Sequence, residues 1–211
     1  MNQLIPELAC ALTKHGGFSF IHHPLIVTIF LGSDVEINQC NASFRLKSEL
    51  IEKKRRDQDW DGYLALHERP YRLDSFHEIE DEMSDEDYWK ALAWIWVDSE
   101  APSRHKSNRS LWKKLFSDTR SSREVLHNEA ERAFLESLGD DEPVTVYRGG
   151  NKKGLSWTTS LEVAEFFANR FEQEEVWTGQ IKKKHILAYF EGRGESEVVL
   201  DFKDLESVHC L

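Results

Sequence analysis

Apolar positions recur along this chain with two different periods, and the change falls near Pro143. Upstream the spacing is mainly helical. Pro6 followed by Glu-Leu-Ala-Cys-Ala-Leu predicts a short opening helix that Gly16-Gly17 stops, and the β-branched run over 25–30 predicts a buried strand. A charged, helix-compatible stretch over 45–56 ends in Lys53-Lys54-Arg55-Arg56, a basic cluster that reads as a solvated helix face. The acidic run over 78–87 predicts an exposed loop, with Ser84 and Asp87 as a weak cap for a helix over 88–97. Trp89, Leu92, Trp94, Ile95 and Trp96 lie nearly all round that helix, so it is expected to be buried on most sides, its indoles serving as core rather than as a stacking platform for bases. A polar connector over 101–108 and a short helix over 111–116 follow. Ser121-Ser122-Arg123-Glu124 then has capping-box spacing ahead of Val125, Leu126, Ala130, Ala133, Phe134 and Leu138, which predicts one helix that Gly139 ends. His127 and Glu131 sit four apart on it, a spacing two metal ligands can share, but with no third ligand nearby they read as a surface pair.

Beyond Pro143 the texture becomes that of strands, over 144–147, 155–158, 175–181, 186–190 and 197–202. An amphipathic helix over 161–171 interrupts them, and turns are expected at Gly149-Gly150, at Gly179 and over 192–194. Helices followed by strands make the chain α+β rather than alternating α/β. The expected organisation is a mainly helical region over 1–140 and a strand-rich core over 141–211.

Composition narrows the functional classes. A chain of 211 residues is long enough to bury a core without a metal or disulfide staple. Cys10, Cys40 and Cys210 are odd in number and far apart, which suits free thiols in a reducing compartment. With 27 Lys plus Arg against 38 Asp plus Glu the net charge is −11, so nonspecific attraction to nucleic acid or anionic lipid is disfavoured, although a local basic groove is compatible with it. The most apolar stretch, LIVTIFL over 25–31, is too short to span a bilayer and follows His22-His23-Pro24 rather than a basic segment. The expectation is a cytoplasmic chain without a membrane partner.

Three polar features punctuate the apolar strands. Tyr147-Arg148-Gly149 puts an arginine at a strand end, beside glycines that allow close approach of backbone or ligand. Ser156-Trp157-Thr158-Thr159-Ser160 is a hydroxyl-rich strand end running into a helix; alternation puts Ser156 and Thr158 on one face, and Thr159 and Glu162 have capping-box spacing. Glu195-Ser196-Glu197 precedes Val-Val-Leu, and its carboxylates share a side if the strand has begun by Glu195. Each feature alone is common.

In this order, over residues 144–202, they resemble the R-S-E class of toxin-like mono-ADP-ribosyltransferases. The resemblance is carried by Arg148, by Thr158-Thr159-Ser160 with Phe167-Ala168 further along the helix, and by Glu195 and Glu197; a second register puts Ser156 and Thr158 in the hydroxyl roles. It implies a split, mixed or antiparallel β core against which the N-terminal region packs, and because the strand-rich segment is short, part of that core must come from upstream. It implies NAD as substrate, with no metal. Glu197 would hydrogen-bond a ribose hydroxyl and stabilise the oxocarbenium-like transition state of nicotinamide–ribose cleavage. Arg148 would grip the dinucleotide phosphates. Gly149 would pair with the nicotinamide amide, and Ser156, Thr158 and Ser160 would hold the carboxylate and ribose in place. Glu195 would serve the acceptor, a protein arginine or, as in related phage-defence enzymes, a nucleobase. Such a protein is a toxin or effector of bacterial or phage type, for which an inhibitory antitoxin is an expected partner. The other readings are an NAD glycohydrolase, with water as acceptor, and a non-catalytic module that keeps the fold. Trp157 and Phe166 read as core, and Arg170 and Lys182 to Lys184 as solvated loop charges.

Overall fold

The structure is a computed structural model that describes residues 2–100, 106–170 and 175–211. The chain is α+β, with eight α-helices and two antiparallel sheets among these residues, and it divides into two compact units, Met1–Ala91 and Leu92–Leu211.

In the first unit, helix α1 (Pro6–Cys10) leads into a meander of β1 (Leu12–His15), β2 (Phe18–His23) and β3 (Ile26–Phe30). Gly16 and Gly17 do not stop a helix. They are the two loop residues between the paired His15 and Phe18, and both have positive φ, 57° and 85°, as the tightest hairpin turns require. Strand β3 is half-buried rather than buried: Ile26 faces the core with Leu8, Ile21 and Leu25, while Val27 and Ile29 are exposed on this edge strand.

Helix α2 (Asp34–Arg56) starts a full three turns before the predicted charged stretch, because Ser33 caps it by accepting from the Glu36 N–H at 3.2 Å. Its basic end is paired: Lys54 with Asp59, and Arg55 with Glu82 and Glu78. After α3 (Trp60–Leu66) and α4 (Arg72–Ile79), the acidic run is not a loop. It continues α4 through a 3-10 turn, Glu80–Glu82, into α5 (Asp85–Asp98), with Glu80 buried and 3.0 Å from His77 Nδ1. Ser84 does cap α5, accepting from the Asp87 N–H at 3.1 Å. Trp89 and Trp96 are fully buried, but Trp94 stays 37% exposed, so α5 keeps one solvent-facing stripe.

The second unit takes the rest of α5, then α6 (Lys106–Phe116), α7 (Glu129–Ser137) and α8 (Leu161–Arg170) around six strands: β4 (Val144–Gly149), β5 (Ser156–Thr158), β6 (Val176–Ile181), β7 (Ile186–Phe190), β8 (Glu197–Leu200) and β9 (Glu206–Cys210). The order is β7-β8-β5-β4-β6-β9, and every pairing is antiparallel, so the sheet is not mixed. One face carries Val146, Trp157, Ile181, Tyr189, Val198 and Leu200 against Phe134 and Leu135 of α7, with Phe134 stacked on Tyr189 at 4.0 Å.

The predicted helix over 125–138 begins later than its first capping signal. Ser122 adopts a left-handed φ of 58°, Arg123–Leu126 form a 3-10 turn, and the capping box belongs to Asn128 and Glu131. His127 and Glu131 are not a surface pair. His127 Nε2 accepts from the Tyr189 N–H at 3.2 Å and the buried Glu131 accepts from the Glu191 N–H at 2.9 Å, so both tie this segment to β7 and the turn after it. Cys40 is buried, Cys10 and Cys210 are exposed, and all three are free. Among the described residues no helix is long and apolar enough to cross a membrane.

Candidate active site

Strands β4, β5 and β8 are neighbours, which brings the arginine, the hydroxyls and the carboxylates of three separate segments to one place. The register fixes which side chains share a face. Tyr147 lies opposite Thr158 and Thr158 opposite Glu197, so Tyr147, Ser156, Thr158 and Glu197 point the same way. Arg148, one residue on, leaves β4 on the opposite pleat, alongside Val146.

The guanidinium bends toward the backbone of β5. Beyond Tyr147 and Thr158 the ladder between β4 and β5 stops. Arg148 fills the gap, its Nε donating to Asn151 O at 2.7 Å and its Nη1 to Ser156 O. Gly154 makes room for it: a Cβ there would lie under 3 Å from the guanidinium. Desolvation lowers the Arg148 pKa to about 10, with Glu197 opposing the shift and Arg109 adding to it, so the group stays cationic at neutral pH.

Gly149 borders the same gap. The Gly150 N–H donates to Glu175 O at 2.8 Å, which makes Gly149 and Val176 a pair without mutual hydrogen bonds. The N–H and C=O of Gly149 therefore point toward β5, past the end of the ladder. Its missing side chain serves the face that carries Tyr147 and Glu197, because a Cβ would meet the α8 backbone at Ala164 and Ala168.

Glu197 opens β8 and is 6% exposed. Trp96 Nε1 donates to its Oε2 at 3.1 Å, and the Ser156 hydroxyl lies on the same face, where it favours the ionised carboxylate. Burial pushes its pKa up; Ser156 and Trp96 pull it down, Glu195 raises it and Arg193 lowers it. Trp96 is held edge-on by Trp112 and Phe116, with ring centres 4.9 and 5.2 Å away. The sequence reading gave Trp96 a packing role alone and gave Gly154 none. A contact across 101 positions leaves no local signal for Trp96.

The other predicted residues have structural partners. Thr158 Oγ1 donates to Glu195 O at 2.7 Å and accepts from the Ser160 N–H at 3.0 Å; Ser160, not Thr159, caps α8 by accepting from the Val163 N–H at 3.3 Å. Ser156 is thus the hydroxyl that bears on the carboxylate. Glu195 lies before the strand, not in it: Ser196 takes a positive φ of 43°, and Glu195 sits in a turn with its Oε2 3.2 Å from Arg193 Nη2. Trp157 is core, its indole N–H donating to Gly154 O, whereas Phe166 is 58% exposed rather than core. Lys182 pairs with Glu206 at 3.3 Å, and Lys183 donates to Leu138 O at 3.3 Å. Among the described residues no group of three or more His, Cys, Asp and Glu side chains could hold a metal ion.

A buried carboxylate with two neutral donors, next to a guanidinium in an opening of the sheet, is suited to stabilising a developing cation and to gripping a hydroxyl. No family model matches this chain, and no curated protein and no solved structure matches it either.

Proposed function

We propose that this protein is an NAD-dependent mono-ADP-ribosyltransferase that passes ADP-ribose to a macromolecular acceptor. The observation that supports this reading best is the convergence of Arg148, Ser156 and Glu197 from three adjacent strands, in the order the chemistry uses them. Glu197 hydrogen-bonds a ribose hydroxyl of NAD, and its charge stabilises the sugar cation as the ribose–nicotinamide bond breaks. The bonding pair stays with the pyridinium nitrogen, and neutral nicotinamide leaves. The acceptor's lone pair closes on the sugar carbon, and its displaced proton goes to Glu195, which is partly exposed at the edge of the site. Arg148 holds the pyrophosphate, and the Gly149 peptide, aimed past the end of the β4–β5 ladder, takes the nicotinamide amide.

The test is nicotinamide release from NAD labelled in its ADP-ribose half, with a cell lysate as acceptor source. Wild-type protein releases nicotinamide and labels a macromolecule; Glu197→Gln, which keeps the shape and loses the charge, is at least about 100-fold slower. Separate digestion with protease and nuclease assigns the label to protein or nucleic acid. Label recovered only as free ADP-ribose makes water the acceptor, and wild-type protein that releases no nicotinamide refutes the reading.

A further inference from the structure

We propose that Trp96 is a positioning residue for Glu197: its indole N–H, at 3.1 Å from Oε2, fixes the carboxylate's orientation and favours its ionised form. An indole N–H is a donor and never an acceptor, so Oε2 is held as an unprotonated oxygen, whereas a hydroxyl such as that of Ser156 can serve either protonation state. Rigidity distinguishes this donor too. Trp96 is 1% exposed, and Trp112 and Phe116 meet its ring at 90° and 80°, so reorienting the N–H means repacking three aromatic rings.

The charges that bear on Glu197 come from several elements. Arg148 on β4 favours the anion, Arg193 in the preceding turn does the same, and Glu195 opposes it, while Arg109 on α6 acts on Arg148. Trp96 and the Ser156 hydroxyl are the neutral groups that add to the two cations. The catalytic consequence rests on the transferase reading; the contact itself does not.

Two measurements on the full chain test the assignment. The first is the pH profile of nicotinamide release by wild type, Trp96→Phe and Phe116→Leu. Trp96→Phe keeps a ring and loses the donor, so the acid limb moves up by about one pH unit, and kcat falls with little change in KM. Phe116→Leu disturbs the same packing and leaves the donor, so its acid limb stays in place. An unmoved limb in Trp96→Phe, or an equal shift in Phe116→Leu, overturns the proposal.

The second needs neither catalysis nor a change in the aromatic cluster. In 15N-tryptophan-labelled protein one indole N–H resonance follows the titration of a buried acid, and Glu197→Gln abolishes that response. If Glu197→Gln leaves every indole titration unchanged, the contact is refuted. Wild-type protein without nicotinamide release at any pH sinks the transferase reading, and the indole titration then decides the contact alone.

Discussion

Two neighbouring glycines should respond to alanine in opposite ways, because the atoms in the path of the new methyl group differ. At Gly149 the ideal Cβ lies under 3 Å from the carbonyl of Ala164 and the N–H of Ala168, and 3.0 Å from Ala168 Cα. These are backbone atoms of α8, so relief requires the whole helix to retreat from β4. Overpacking costs about 1–3 kcal/mol when side chains can give way, and this clash with backbone belongs at or above the upper end. At Gly154 the Cβ meets the end of Arg148, with Nε at 2.7 Å, and that side chain can move. It forfeits its bonds to Asn151 and Ser156 but regains water, for a net loss of about 1–2 kcal/mol. The cost appears instead in activity. A guanidinium displaced from the opening by about 1 Å should slow nicotinamide release by roughly 100-fold. Urea unfolding followed by far-UV circular dichroism, with NAD cleavage measured on the same preparations, separates the two effects. Equal destabilisation by both substitutions, or full activity in Gly154→Ala, would show that the two glycines have been assigned to the wrong tasks.

Other consequences follow from the buried titratable groups and from one cap. Glu197 has its folded-state pKa raised, so it carries no penalty below the ordinary carboxylate range and destabilises the fold as pH rises through the raised value; Glu197→Gln should match wild type near pH 4 and exceed it in urea midpoint at pH 8. Burial, with help from Arg123 and Arg132, lowers the His127 pKa to about 4, so its contribution is complete above about pH 6.5 and is lost as pH falls toward 4. The full shift corresponds to at most about 3 kcal/mol, and roughly half that for a partly buried ring; His127→Gln should flatten the stability profile between pH 7 and 5. Asn128→Ala removes the capping box of α7 and should cost about 1–2 kcal/mol, read as a Tm lowered by a few degrees.

How much of this was legible in the sequence depended on how local each signal was. Strands β4 to β8 announce themselves by short apolar runs between turn residues and helix α8 by its amphipathic spacing, and the structure has them within a residue or two. Strands β1 and β9 do not, because Leu-Thr-Lys-His and Glu-Ser-Val-His-Cys are edge strands with exposed, mostly polar side chains that leave no apolar alternation. The α7 boundary was ambiguous in kind. Ser121 to Glu124 and Asn128 to Glu131 both satisfy the capping spacing, and the choice falls to the second because His127 and Glu131 bond the backbone of Tyr189 and Glu191, about sixty positions away. In the site, the Arg, Ser and Glu segments stood out by residue type and order. Their register did not, since a left-handed Ser196 and the end of the β4–β5 ladder are decided by tertiary contacts.

That early end of the ladder is the physical origin of the candidate site. Had β4 and β5 stayed paired past Tyr147 and Thr158, Gly149 would face Ser156 across closed rungs, its N–H and C=O would be consumed by the sheet, and Arg148 would remain on the core face beside Val146. Stopping after one pair frees two things together: a peptide that points into the gap and a carbonyl on Ser156 for the guanidinium to bind. Gly154 and the Asn151 carbonyl then hold the guanidinium there. An arginine whose parity reads as a core position is instead anchored in an interruption of regular structure, where Glu197 acts on its charge, and under the transferase reading the residues that sustain the interruption would matter as much as those that touch the substrate.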